Sequence, residues 1–152
     1  MVAVGEQIAA LPIQWDAKGR MKILMVTSRG TKRWVMPKGW EMDNTKPWDA
    51  AAIEAMEEAG AKGTISSEVL GTYRYLKVRD NGKLVPCLVR VYPMLVEELK
   101  RDWKERGQRT RKWFSPKTAS KLVVEEELSE LLLSLHKKPH KQPIIRDLMK
   151  ST

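Results

Sequence analysis

The residues with the clearest chemical potential are Glu54, Glu57 and Glu58, set between a Pro37-Lys38-Gly39 turn and the pair Gly60-Ala61. At about 100° per helical residue the three carboxylates fall within one arc of about 100°, so they share a helical face. Carboxylates converging beside a glycine turn with exposed backbone carbonyls suit a hard divalent cation such as Mg²⁺. In a basic chain, that chemistry points to phosphates.

A helix has to present these groups, and its ends are readable. Pro47 suits a first helical turn, and Asp49 complements the positive end of the helix dipole. Lys46 offers no side-chain acceptor at the N-cap, so Thr45 is expected to cap instead. Ala50–Ala59 favours helix, and Gly60 is a natural stop. Upstream, Gln7–Trp15 and Arg20–Thr27 read as strands joined by the Asp16–Gly19 turn, and Trp34–Met36 as a short extended piece leading to the Gly39 turn.

Downstream, Thr64–Val78 and Lys83–Leu99 flank Asp80-Asn81-Gly82, where Asn-Gly predicts a type I′ hairpin turn. Pro86 and Pro93 each remove a ladder donor, which predicts a bulge or an edge position for the second of these strands. Arg111–Ser115 reads as a last strand. Val124, Leu128, Leu131, Leu132 and Leu135 then recur at helical spacing. The order strands, helix, strands, helix predicts one mixed α/β domain over residues 1–136. A basic tail follows at 137–152, and the sequence leaves its order open.

Bulk properties narrow the class. The chain has 152 residues, 42% hydrophobic and 31% charged, in keeping with a globular domain. Its longest apolar runs, such as Ile8–Ile13, fall far short of the ~20 residues that cross a bilayer. No basic residue precedes the first apolar stretch, so no secretory signal is expected, and the single Cys87 fits a reducing compartment. A cytoplasmic location is the expectation. The net charge of +9 implies an anionic partner. The excess is uneven: Lys100–Lys117 holds eight basic residues and two acidic ones, whereas Leu122–Leu135 carries four glutamates and no base.

The Gly39–Ala61 stretch resembles the signature of the Nudix hydrolases: G, five residues, E, seven residues, R-E-U-x-E-E-x-G-U, with U aliphatic. Gly39, Glu54, Glu57, Glu58 and Gly60 match at the right spacing. Two positions depart, Thr45 where the family has Glu and Ile53 where it has Arg. Because both members of that pair are absent together, no orphan charge remains, and we read the change as altered bracing of loop against helix. Further stretches, Arg33–Gly39, Glu57–Gly63, Gly71–Lys77 and Trp103–Phe114, look like the diphosphoinositol polyphosphate phosphohydrolase branch.

The resemblance implies a Nudix-type α/β/α sandwich with a mixed β-sheet. It implies Mg²⁺ or Mn²⁺ held by Glu54, Glu58 and the backbone carbonyl of Lys38, with Glu57 as the general base. Arg29, Lys38 and Gly39 would contact substrate phosphates. Arg109 and Arg111, two apart at a strand entry, would aim two guanidiniums at the same pocket. The implied reaction is cleavage of a phosphoanhydride in a highly anionic small molecule, a diphosphoinositol polyphosphate or a dinucleoside polyphosphate. The alternatives are an RNA 5′-pyrophosphohydrolase, with nucleic acid entering only as substrate, and a non-catalytic nucleotide-binding module. No membrane partner is expected, and the sequence is silent on oligomeric state.

Overall fold

The computed structural model describes residues 4–150. Strand β1 (Gly5–Trp15) organises the rest. Its side chains alternate, with Ala9, Leu11 and Ile13 entering one core and Ile8 and Ala10 the other. A strand covered on both faces needs apolar residues at every position, which is why Ile8–Ile13 is uniformly apolar.

β1 pairs in parallel with β7 (Leu84–Leu99), from Gly5 opposite Cys87 to Ile13 opposite Leu95. On its other side it runs antiparallel to β2 (Met21–Thr27) and, further along, to β4 (Lys38–Trp40). β2 also pairs with β3 (Trp34–Val35) and β8 (Arg111–Phe114). β7 continues the sheet through antiparallel β5 (Ala61–Ile65) and β6 (Gly71–Val78).

Helix α1 (Pro47–Ala59) covers one face through Ala50, Ala51, Ala55 and Ala59. Small side chains let its backbone approach the sheet closely. The other face is covered by α2 (Pro116–Leu122), α3 (Glu126–Leu133) and α4 (Pro143–Lys150), through Ala119, Leu128, Leu132, Ile145 and Leu148. The expected α/β/α sandwich with a mixed sheet is therefore the architecture. The segment after His136 forms a 3₁₀ turn (Pro139–Lys141) and then α4, whose Ile145 is fully buried.

Several local expectations need correction. Lys38-Gly39-Trp40 is strand rather than turn, because it adds to the free side of β1 beyond the end of the β2 pairing. Thr64–Val78 is broken into β5 and β6, with Ser66 and Leu70 donating to the Pro93 and Val91 carbonyls across the gap. Pro93 sits where β7 exchanges one neighbour for the other, so no ladder donor is missed there. The expected bulge and partial edge are both present in β7, away from Pro93: residues 84–86 pair only with β6, since the pairing with β1 begins at Cys87, and Glu97 is skipped opposite Lys62 and Gly63. The hairpin after β6 forms, but only Gly82 takes positive φ, so Asn81 does not make a type I′ turn. Thr45 does not cap α1; its hydroxyl donates to the Asp43 carbonyl at 3.1 Å. Val124 is exposed because the helical run breaks between α2 and α3.

Candidate active site

The glutamates of α1 end up in different places. Glu58 is 5% exposed and Glu54 is half-buried, and both line a cavity of about 310 Å³ between α1, β4 and the loop before β8. Glu57 does not line it. Its carboxylate turns toward Lys104, 3.6 Å away at the surface.

Burial pushes the Glu58 carboxyl up to about 8, and the neighbouring Glu54 reinforces this. Burial also raises Glu54, although its hydrogen bond with Glu58 opposes the rise. Two desolvated carboxylates facing each other hold a proton between them unless another cation takes its place. Gly39 is what lets Glu54 lie there, since a Cβ on residue 39 would come within 2.5 Å of Oε1. The Pro37 carbonyl accepts from Ala10 N at 3.0 Å, and strand alternation then turns the Lys38 carbonyl away from β1.

The Lys38 ammonium lies within the pocket, 5.2 Å from the Tyr75 ring centroid. Burial lowers its pKa, opposed by the nearby Glu58 and Glu125 carboxylates. Tyr75 donates to Gln7 on the same wall. Arg29 reaches the rim, its side chain 62% exposed, with Nη1 donating to Gln108 Oε1 at 3.2 Å.

Of the predicted arginine pair, only Arg109 faces the cavity, and its donors are committed to the protein. Nε donates to Glu105 at 2.8 Å, Nη1 to the Thr27 carbonyl at 3.1 Å, and Nη2 lies 3.6 Å from Glu58. It therefore positions carboxylates rather than offering a free fork to phosphate. Arg111 is elsewhere: its guanidinium stacks 3.9 Å from the Trp103 ring centroid and donates to the Ala59 carbonyl at 2.9 Å. The two-apart rule fails because β8 begins only at Arg111, leaving Arg109 outside the strand.

Glu105 is the group the sequence reading missed. It is 9% exposed and lines the pocket with Glu54 and Glu58. Its only sequence signal is an acid four residues before Arg109, one of two inside a basic run. Lys77 also reaches the cavity from β6.

The segment from Lys100 to Arg111 is tied to the end of α1. Its donors from Lys100 N, Trp103 Nε1, Glu105 N and Arg111 Nη1 satisfy the carbonyls of Gly60, Glu58, Glu57 and Ala59 in turn. A helix leaves about four carbonyls orphaned at its C-terminus, and here one loop takes all of them. Gly60, at φ 64°, allows the chain to turn out of the helix so that this docking can occur.

A NUDIX domain matches residues 5–135. The chain belongs to the Nudix hydrolase family. It is 32% identical over 130 residues to "Nudix hydrolase 16, mitochondrial" of Arabidopsis thaliana, covering 83% of this chain and 71% of that protein. To the human diphosphoinositol polyphosphate phosphohydrolase 3-beta it is 32% identical over 103 residues, covering 66% of this chain and 58% of the relative. The chain thus spans little more than half of several relatives. Among solved structures, a C. elegans Ap4A hydrolase aligns with TM-score 0.63 at 19% identity, over 88% of this chain and 96% of that one. The NUDIX domain of Shewanella oneidensis NrtR, complexed with ADP ribose, gives TM-score 0.65 at 13% identity, over 91% and 90%. At such identities these two likenesses speak for the fold.

The donors suit a divalent cation. Among the described residues no three Asp, Glu, His or Cys side chains form a ready-made cage. Mg²⁺, however, typically takes one or two carboxylates and completes its shell with waters and substrate phosphates. The facing pair Glu54 and Glu58, in a lining that also includes Lys38, meets that requirement. No helix among the described residues is long and apolar enough to cross a membrane.

Proposed function

We propose that this chain hydrolyses a phosphoanhydride bond in a highly anionic small molecule, with Mg²⁺ or Mn²⁺ as cofactor. The observation that carries the reading is the pair formed by buried Glu58 and half-buried Glu54 against Gly39, in a pocket that also holds Arg29, Lys38 and Lys77. Glu54, Glu58 and the Lys38 carbonyl would hold the cation, which supplies neutralisation of phosphate oxygens. Lys38 and Arg29 bind non-reacting phosphate oxygens, Lys38 from the floor and Arg29 from the rim. Arg109 keeps Glu58 and Glu105 oriented.

The proton acceptor has two candidates. Family pattern assigns Glu57, which must leave Lys104 to reach the pocket. Glu105 already faces it, and that favours Glu105. The loss of a positioned general base costs about 10²–10⁴-fold in rate. Turnover measured with Glu105→Gln and Glu57→Gln separates the two: we expect the larger fall in kcat for Glu105→Gln, and the reverse ranking returns the role to Glu57.

A diphosphoinositol polyphosphate or a dinucleoside polyphosphate fits the charge of the pocket, and the name of a relative supports the first class. Hydrolysis assays across both, with triphosphorylated RNA as a third arm and a chelator control, test the reading. Tight binding with no turnover in either divalent metal would make the chain a binding module instead. The cytoplasmic location also stands as a proposal, and the plant relatives carry "mitochondrial" in their names.

A further inference from the structure

The run from Leu122 to Leu135 carries four glutamates and no base, and none of them lines the catalytic pocket. Glu126 and Glu130 are exposed, and Glu127 meets Arg74 at the surface, 2.9 Å away. Glu125, at the N-cap of α3, turns inward, and its side chain is 5% exposed. Its Oε2 accepts from Arg33 Nη1 at 2.9 Å, while Oε1 is buried with no hydrogen-bond partner. A buried acceptor left unmade is costly, so its presence calls for a reason.

We propose that Glu125 is a positioning residue for phosphate binding, one buried carboxylate standing behind two cations of the pocket, Arg29 and Lys38. The proposal rests on the phosphoanhydride reading above, in which those two cations hold non-reacting phosphate oxygens.

The route to Arg29 runs through Arg33. Its carbonyl accepts from Ser28 N at 2.8 Å and its N–H donates to Ser28 Oγ at 3.1 Å, which closes residues 28–33 into a loop. Ser28 Oγ also meets Thr31 Oγ1 at 2.8 Å. Arg29 lies within this closed loop, so its reach over the rim depends on where the loop is fastened. Glu125 fastens it to α3.

The route to Lys38 is direct. The ammonium lies over the Tyr75 ring and faces the carboxylates of Glu58 and Glu125. Glu58 is already engaged, by a hydrogen bond with Glu54 and by Arg109 at 3.6 Å. The unpaired oxygen of Glu125 is therefore the anion left to Lys38. It makes no hydrogen bond to the ammonium, which stays free to turn to a phosphate.

An anion behind a phosphate site has two effects of opposite sign. Its charge repels a polyanion, while its hold on neighbouring cations favours one. Charge alone predicts that Glu125→Gln tightens binding, whereas positioning predicts that it weakens. Titration calorimetry with inorganic tripolyphosphate, in chelator-treated buffer at fixed ionic strength, reads that sign without turnover. We expect Glu125→Gln to weaken binding about tenfold, and to add less than about twofold in an Arg29→Gln/Lys38→Gln background, where neither cation remains to be positioned. Glu125→Asp, charged but one methylene short, should recover part of the loss. Glu127→Gln makes the same charge change two residues along α3 and should leave affinity within about twofold.

Thermal unfolding shows whether each variant is folded at the assay temperature. If Glu125→Gln is not, Glu125→Asp carries the test, with binding about threefold weaker expected and unchanged binding overturning the proposal. Unchanged or tighter binding in folded Glu125→Gln also overturns it, as does an equal loss in Glu127→Gln or in the background lacking both cations. Absence of hydrolysis by the unaltered chain, with the effect of Glu125→Gln and its dependence on both cations intact, strikes the catalytic reading and leaves this one standing.

Discussion

Glu54, Glu57 and Glu58 show how far residue spacing reaches. Helical phase puts all three on one face, and that was legible. Which of them enters the pocket depends on Gly39, which admits the Glu54 carboxylate, and on Lys104, which draws Glu57 outward. Neither partner is close in sequence to the helix turn it acts on. Glu105 was illegible for a related reason: it sits in an irregular segment with no period to mark a face, and only folding brings it to Glu58.

The buried carboxyl has a measurable consequence. Glu58 holds its proton up to about pH 8 in the folded chain, against an ordinary value of 4.5. The folded state therefore binds more protons than the unfolded one between those values, so stability falls as pH rises through that window. In chelator, thermal unfolding should show the melting temperature dropping from pH 5 to pH 8. Glu58→Gln should flatten that dependence, and a saturating divalent cation should reverse part of the loss.

At the level of elements, the decisive contact is between the end of α1 and the Lys100–Arg111 segment. Loop and helix share four hydrogen bonds, so Glu58 and Glu105 are held by one rigid unit. Trp103→Phe keeps the ring under Arg111 but removes the donor to the Glu58 carbonyl. A lost hydrogen bond of this kind costs about 1 kcal/mol, and we expect kcat to fall more than KM rises. If steady-state kinetics show KM alone changing, the coupling to catalysis is wrong.

The same scale explains the tail. Its charge and prolines left its order open, yet its two isoleucines and one leucine sit at helical spacing, and Ile145 is fully buried in the core that also holds residues of β1 and β7. Composition averaged over a segment hides a narrow apolar stripe. Ile145→Ala should destabilise the chain by about 2–4 kcal/mol in denaturant titration, far beyond what a surface tail would cost.

For the whole molecule, the net charge of +9 acts over distances longer than any single contact. Long-range attraction of a polyanion is screened as the Debye length shrinks from about 30 Å at 0.01 M salt to about 8 Å at 0.15 M. We expect kcat/KM on a polyphosphate to fall about tenfold over that range with kcat nearly constant. Stopped-flow or initial-rate measurements at several salt concentrations check this. Element order and the two hairpin neighbours, β1 with β2 and β6 with β7, were readable in the sequence, but the long-range pairings were not, because they are set by which edges remain free after each strand docks.

That pairing bears on how the chain is made. β1 and β7 lie side by side, yet their partners are 82 residues apart, as in the contact from Gln14 to Val96. During synthesis β1 emerges long before the strand that covers one of its edges. Until β7 arrives, Ile8–Ile13 is an apolar segment with open backbone groups, prone to stick to other nascent chains. Translation speed through the β5–β6 region, and chaperone supply while it is being made, should therefore govern the soluble yield of this protein more than its final stability does.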